Sequence, residues 1–254
     1  MANIITITNQ KGGAGKTTTA AALAAGLSLK GFSVLLVDLD AQGNLSYTAR
    51  AKQNGASALG VLCGEVTAAD AIQHTASGDI IASSRALAGA ELLINDTGKE
   101  YRLKEALEPI GGNYDYIVID TPPALGILTI NALTASQGVI IPAQADIYSL
   151  QGAEQLAETI KAVKKYCNPD LKIKGLLLTK YNARSVLSRD VAELAESLAQ
   201  RLGTTLFKTT IRDNIAVREA QLTRQTLQSY APRAKATEDY KQFTEEFLRG
   251  EKGQ

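Results

Sequence analysis

Five short runs of mostly β-branched and apolar residues punctuate the chain, at 3–8, 33–38, 115–120, 138–142 and 173–179. Several are apolar without interruption, as in strands buried on both faces rather than on one. Two shorter runs, 80–82 and 205–207, predict further strands. Helical periodicity fills the intervals and predicts helices over 16–29, 57–63, 67–73, 101–109, 126–136, 150–166, 186–201, 214–221 and 233–249. Strands alternating with helices predict an α/β fold: one doubly wound, mostly parallel sheet with helices on both faces. Residues 43–100 break the rhythm. They are rich in Ala, Gly, Ser and Thr, carry only short helical patterns, and read as the loop-bearing part. No repeat, low-complexity tract or linker divides the chain, so residues 1–254 are expected to form a single domain.

Net charge is only +1, so bulk charge does not announce a nucleic-acid binder. Its distribution changes the picture. Residues 39–120 hold six Lys/Arg against eleven Asp/Glu, whereas residues 180–235 hold ten against five. A basic C-terminal third predicts one face for a polyanion. Cys63 and Cys167 lie far apart without metal-ligand spacing, and read as buried small hydrophobes in a reducing compartment. His74 sits in a polar stretch with no ligand spacing around it. No signal peptide opens the chain, and no apolar run approaches the ~20 residues that span a bilayer. A cytoplasmic protein with no membrane partner is expected.

The chemistry concentrates where the first strand meets the first helix. Residues 9–18 read Asn-Gln-Lys-Gly-Gly-Ala-Gly-Lys-Thr-Thr. Strand, glycine-rich loop and helix form a phosphate cradle: backbone N–H groups and the positive end of the helix dipole face one anion. Gly12, Gly13, Ala14, Gly15, Lys16, Thr17 and Thr18 are therefore the candidate nucleotide-binding residues. Lys16 would place a cation on the β/γ-phosphates and the Thr17 hydroxyl would ligate Mg²⁺. The common loop has glycine five residues before Gly15. Gln10 stands there instead, followed by a second lysine, Lys11.

Two further strands end in carboxylates. Residues 35–40 read Leu-Leu-Val-Asp-Leu-Asp, and 116–123 read Tyr-Ile-Val-Ile-Asp-Thr-Pro-Pro. Acids at the carboxyl edge of parallel strands point to the ligand crevice. Asp120 has Walker B placement for Mg²⁺, and Asp38 is a second candidate for the metal shell.

The stretch K-G-G-x-G-K-T-T resembles the deviant Walker A motif of the ParA/MinD family of P-loop ATPases. That resemblance implies a catalytic and nucleotide-binding role for Lys11, which in the family reaches across a dimer interface to the partner's nucleotide. D-x-D-x-Q-G-N, at 38–44, resembles the family's switch I and implies that Asp40 positions the attacking water. T-P-P at 121–123, Gly126 and Thr129-Ile130-Asn131-Ala132-Leu133 match as well, with weaker similarity through 139–142 and 175–179. The likeness covers most of the chain and is closest to short ParA proteins of the Soj type. The loop begins at residue 9, so no N-terminal helix-turn-helix domain is expected.

Membership of that family would imply a Mg²⁺-dependent ATPase that forms an ATP-dependent homodimer. It would also imply binding to double-stranded DNA without sequence preference on the nucleoid, and an answer to a ParB-type activating protein. DNA contact would go to phosphates, with Arg184, Arg189, Lys208, Arg218 and Arg224 as candidates. The segment 210–220 departs from the family's I-P-R-N-V-R: Arg212-Asp213 replace Pro-Arg, and Ala216 replaces an arginine linked with DNA binding. Arg218 and Arg224 are expected nearby on the same helix. Arg212 and Asn214 fall where the family frames the adenine.

Other proteins use related loops. A MinD-like membrane ATPase needs a basic amphipathic C-terminal helix; here Tyr240, Phe243, Phe247 and Leu248 form an apolar stripe, but the polar face is mostly acidic, which fits a helix docked on the core. A nitrogenase-type iron–sulfur reductase needs cysteines at the dimer axis, and a kinase of this loop class needs a C-terminal tyrosine cluster. A metabolic ligase with a related loop generally lacks the extra Lys11. A non-enzymatic structural protein does not account for three nucleotide motifs.

Overall fold

The computed structural model describes residues 1–252. Its strands are β1 (Asn3–Ile7), β2 (Val34–Asp38), β3 (Ile72–Thr75), β4 (Gly78–Ile81), β5 (Tyr116–Asp120), β6 (Gly138–Gln144) and β7 (Lys172–Thr179). They form one sheet in the order β3-β4-β2-β5-β1-β6-β7, parallel throughout except for the antiparallel β3–β4 edge hairpin. The helices in chain order are α1 (Lys16–Leu29), α2 (Asn44–Thr48), α3 (Ala58–Leu62), α4 (Ala68–Ala71), α5 (Ala90–Leu93), α6 (Arg102–Leu107), α7 (Ile127–Ala135), α8 (Ile147–Tyr166), α9 (Val186–Arg201), α10 (Ile215–Leu222), α11 (Leu227–Tyr230) and α12 (Lys235–Lys252).

Alternation along the buried strands splits the core between the two faces. Tyr116 and Val118 pack with α1 and α12, while Ile117 and Ile119 pack with α3, α6 and α7. Val139, Ile141, Leu176 and Leu178 continue that second layer beneath α8 and α9. The expected doubly wound sheet is what the chain forms. β1 lies at its centre, between β5 and β6, and the register pairs Ile7 with Asp120, and Asp120 with Asp38. Three sequence motifs distant along the chain thus end side by side.

The last helix is a core element. Tyr240, Phe243 and Phe247 are almost completely buried. Phe243 stands edge-on to Phe207 at 5.0 Å, and Phe247 to Tyr116 at 6.1 Å. The acidic polar face also has partners: Glu245 pairs with Lys30, Glu251 with Lys174, and Glu246 accepts from the backbone of Lys208 and Thr209. Among the described residues no helix is long and apolar enough to cross a membrane.

Local differences from the sequence reading have local causes. The helix expected over 67–73 stops at Ala71, and residues 72–75 turn into β3 because β4 offers an unpaired edge. Residues 205–207 make only a single bridge, Leu206 to Leu176. Helices α2, α5 and α11 lie where no helix was expected; each has four or five residues, too short for periodicity to register. Cys63 and Cys167 are free thiols but half-buried rather than buried. Phe243→Ala is expected to cost about 3–5 kcal/mol, because a fully buried ring leaves a cavity between α12 and the sheet; urea unfolding measures it.

Candidate nucleotide site

The loop from Asn9 to Gly15 is built by its neighbours. Asn9 is fully buried; its Nδ2 donates to the carbonyls of Pro142 (2.8 Å) and Ser149 (3.3 Å), and its Oδ1 accepts from the Lys11 N–H at 3.1 Å. The start of α8 can come this close because residue 152 is glycine: a Cβ there would stand 2.8 Å from Asn9 Oδ1. Farther along, Gln144 donates to the Gly13 carbonyl, and Thr179 Oγ1 donates to the Ala14 carbonyl at 2.9 Å. Gly15 then takes a left-handed conformation (φ 92°) and caps α1 without a side chain. With the carbonyls of Gly13 and Ala14 held by these donors, the loop N–H groups are left for an anion.

A cavity of about 730 Å³ opens over this loop. Gly12, Gly13, Gly15, Lys16, Thr17 and Thr18 line one end; Ala14 is buried behind it. Lys16 is 7% exposed, and its Nζ donates to the Lys11 carbonyl at 3.3 Å. Burial lowers its pKa, while the charges of Asp120 and Asp40 oppose that shift.

The three acids differ in what they touch. Asp120 is fully buried, and neither of its oxygens has a well-formed hydrogen bond. Its pKa is pushed far above the usual carboxylate range, first by burial and then by Asp38, with the Thr17 hydroxyl and Lys16 pulling the other way. An orphaned carboxylate beside a threonine hydroxyl at the phosphate end is a fitting donor set for a hard, oxygen-seeking cation such as Mg²⁺. Asp38 is equally buried but occupied. Its Oδ2 accepts from Ser46 N–H (2.8 Å) and Ser46 Oγ (2.7 Å), and its Oδ1 from Asp40 N–H (3.1 Å). Burial pushes it up to about 6 against those bonds. Asp38 therefore shapes the loop that follows it. Asp40 lines the cavity; its Oδ1 accepts from Gln42 N–H at 3.0 Å and its carbonyl from Ser83 Oγ at 2.5 Å.

Lys11 is exposed and does not line the cavity; its ammonium lies 5.4 Å from the centre of the Tyr148 ring. At the far end, Asn214 lines the cavity and caps α10, accepting from Ala216 N–H at 2.9 Å. Arg212 also lines it, but its guanidinium is held by Asp239 through Nε (2.9 Å) and Nη2 (2.5 Å).

The five expected DNA contacts separate into two groups. Arg184 and Lys208 border a second cavity of about 680 Å³, together with Lys235. Arg189 is tied to the same loop by a bond to the Ala183 carbonyl (3.3 Å). Arg218 instead lines the nucleotide cavity. Arg224 does not share its helix as expected: it lies two residues beyond Leu222, and its guanidinium covers the Tyr47 ring at 4.6 Å. Ala216 is 7% exposed, so this position packs into the core rather than toward solvent. Asn9, Ser46, Ser83, Gln144 and Thr179 complete the site and were not singled out as working parts. Their signal was weak: polar residues at the ends of apolar runs, where turns also place them.

Against known proteins, the profile described as "AAA domain" matches residues 2–173, and that of the "4Fe-4S iron sulfur cluster binding proteins, NifH/frxC family" matches 126–253. Within the second stretch lies one cysteine, Cys167, at the end of α8 and so at the sheet edge opposite the cavity. The sporulation initiation inhibitor protein Soj of Bacillus subtilis (strain 168) is 41% identical over 97% of this chain and 98% of its own length. A cobyrinic acid a,c-diamide synthase structure from Mycobacterium smegmatis, with bound ADP and magnesium, superposes with a TM-score of 0.86 at 35% identity, covering 100% of this chain and 97% of that one. A putative plasmid partition protein from Borrelia burgdorferi B31 bound to AMPPNP gives 0.84 at 25% identity, over 98% and 99% of the two chains. With the deviant loop, the paired strand-end acids and a Soj relative matched almost end to end, this chain belongs to the Soj/ParA family of P-loop proteins.

Proposed function

We propose that this protein is a Mg²⁺-dependent ATPase that dimerises on ATP and uses hydrolysis to time its hold on DNA, positioning a plasmid, a chromosome region or another cargo. The observation that carries the reading is the buried carboxylate of Asp120, with no well-formed hydrogen bond and the Thr17 hydroxyl beside it, beneath the phosphate loop. Bound ADP with magnesium, and bound AMPPNP, in the similar structures support the same ligands here.

The residues divide the work. The loop N–H groups and Lys16 hold the β- and γ-phosphates without reorganisation, since carbonyl contacts already fix the loop. Thr17 and Asp120 hold Mg²⁺, with Asp38 behind them. The ion neutralises charge that develops on the phosphoryl oxygens. Asp40, at the cavity wall, orients the attacking water. Lys11 stands outside its own cavity, which supports a role on the nucleotide of a second protomer. Asn214 and the Arg212 backbone border the adenine end.

DNA phosphates would meet the basic edge formed by Arg184, Arg189 and Lys208, with Arg218 nearer the nucleotide. Arg224 is engaged with Tyr47 and is a weaker candidate. A ParB-type partner would stimulate hydrolysis and release the dimer from the nucleoid. The lysine pair and the Soj relative favour this reading over the ligase activity that the M. smegmatis structure is named for.

Lys16→Ala is expected to cost about 3 kcal/mol or more of nucleotide binding, a hundredfold in affinity, because it removes the one buried cation from the phosphate end; calorimetric titration with ADP and Mg²⁺ reads it. Asp40→Ala should retain ATP and dimerise yet turn over little. That trapped protein should bind DNA with ATP but not with ADP, without sequence preference. Its affinity should fall with salt at a log–log slope of about −3 to −6, for three or so phosphates met by each protomer. ATP-driven dimers that ignore DNA at every salt concentration would remove the DNA cargo, and an amide-forming activity would restore the ligase.

A further inference from the structure

Two arginines outside the catalytic set share an unusual backbone conformation and are linked to each other. Arg50 (φ 60°) and Arg224 (φ 55°) occupy the left-handed region that favours glycine, as does Lys180. Such conformations persist where surrounding contacts over-determine them. Both guanidiniums supply those contacts, and they do so reciprocally. Arg224 Nε donates to the Tyr47 carbonyl at 2.9 Å, and its guanidinium stacks on the Tyr47 ring. Arg50 Nε donates to the Arg224 carbonyl at 3.0 Å, and its Nη2 to the Thr223 carbonyl at 3.2 Å. The Tyr47 carbonyl also accepts from the Arg50 N–H at 3.1 Å, so both of its lone pairs are used.

The clasp joins two walls of the nucleotide cavity. Asn44, Tyr47 and Thr48 of α2 line it, and Asn214, Val217 and Gln221 line it from α10. α2 is already tied at its start, where Ser46 binds Asp38; Gln221 reaches Thr18 on α1 at 3.3 Å. The clasp closes the remaining side, where α2 and the segment after α10 meet at the protein surface. Tyr47 is 49% exposed there and Arg50 is exposed, so solvent rather than core packing lies outside.

We propose that Arg50 and Arg224 are positioning residues of the nucleotide cavity, which clasp Tyr47 and hold the α2 wall against α10 so that bound nucleotide escapes slowly. The assignment rests on the nucleotide reading of the cavity. Neither arginine touches the reacting atoms; each acts through α2, which follows the Asp40 loop. Removing the Arg224 guanidinium loses the ring stack and the bond to Tyr47, and removing that of Arg50 loses the two carbonyl bonds that hold the Arg224 backbone in place.

Glycine substitutions test the clasp cleanly, because glycine adopts both left-handed conformations without a Cβ penalty, and folding is preserved. Arg50→Gly, Arg224→Gly and the double variant are compared with the unaltered protein by the dissociation rate of N-methylanthraniloyl-ADP with Mg²⁺, and by KM and kcat for ATP. Dissociation and KM should rise about three- to tenfold in each, with little further loss in the double variant and kcat within about twofold, as expected for a handful of partly exposed contacts. Tyr47→Leu, which keeps the carbonyl but loses the ring, should also release ADP faster. A double glycine variant that melts earlier but releases ADP at the unaltered rate would overturn the proposal, as would independent, additive effects of the two arginines. If the unaltered protein binds no ADP analogue, the ATPase reading falls and the clasp with it. If binding persists and only the glycine variants are silent, the clasp alone falls.

Discussion

The rest of the site is arranged around one buried carboxyl group whose ionised form burial disfavours. Asp120 ends β5 between β1 and β2, fully enclosed and without a well-formed hydrogen bond. An isolated carboxylate in such a place costs several kcal/mol unless it is protonated or paired. The charge of Lys16 favours the ionised form, and Asp38 beside it opposes that form. Burial and Asp38 therefore favour the protonated acid, and a cation bound beside Asp120 would favour its ionised form. Stability is exchanged here for affinity: whatever binds this state and not the unfolded chain stabilises the fold.

That constraint explains the order imposed on the neighbouring loop. Asp38 could not lie beside Asp120 at register without strong donors of its own. Ser46 supplies two and the Asp40 N–H a third. Ser46 in turn accepts from Ser83 N–H at 2.9 Å, and Ser83 Oγ binds the Asp40 carbonyl. Four polar residues from two segments thus fix where Asp40 enters the cavity. The irregular stretch 43–100 is not slack around the sheet; its buried serines set the geometry of the acid most exposed to substrate.

Much of this was legible in the sequence because it is local. The loop, the acids at 38, 40 and 120 and the continuously apolar strands each carry their meaning within ten residues, and parallel pairing then brings their ends together. What was not legible depends on direction. Spacing placed Arg224 near Arg218, but the chain leaves α10 at Leu222 and the left-handed turn at Arg224 sends its guanidinium onto Tyr47. The resemblance implies an adenine contact for Arg212; the residue lines the cavity, yet its side chain turns to Asp239, 27 residues further on. β3 was lost because Ala68 to Ala71 continue a helical pattern into residues whose fate is decided by the open edge of β4.

The Arg212–Asp239 pair shows how a departure from a family pattern is absorbed. Arg212 is half-exposed, so the Coulomb gain on its side is screened by water. Asp239 is not: its side chain is 7% exposed, and it takes the Arg212 N–H as well as the guanidinium. Removing Arg212 would strand a buried carboxylate on α12, the helix whose aromatic face closes one side of the core. The same arginine lines both the nucleotide cavity and the basic cavity that holds Arg184 and Lys208. An arginine where the family has proline has a structural partner here in Asp239. It ties the wall shared by the two cavities to α12.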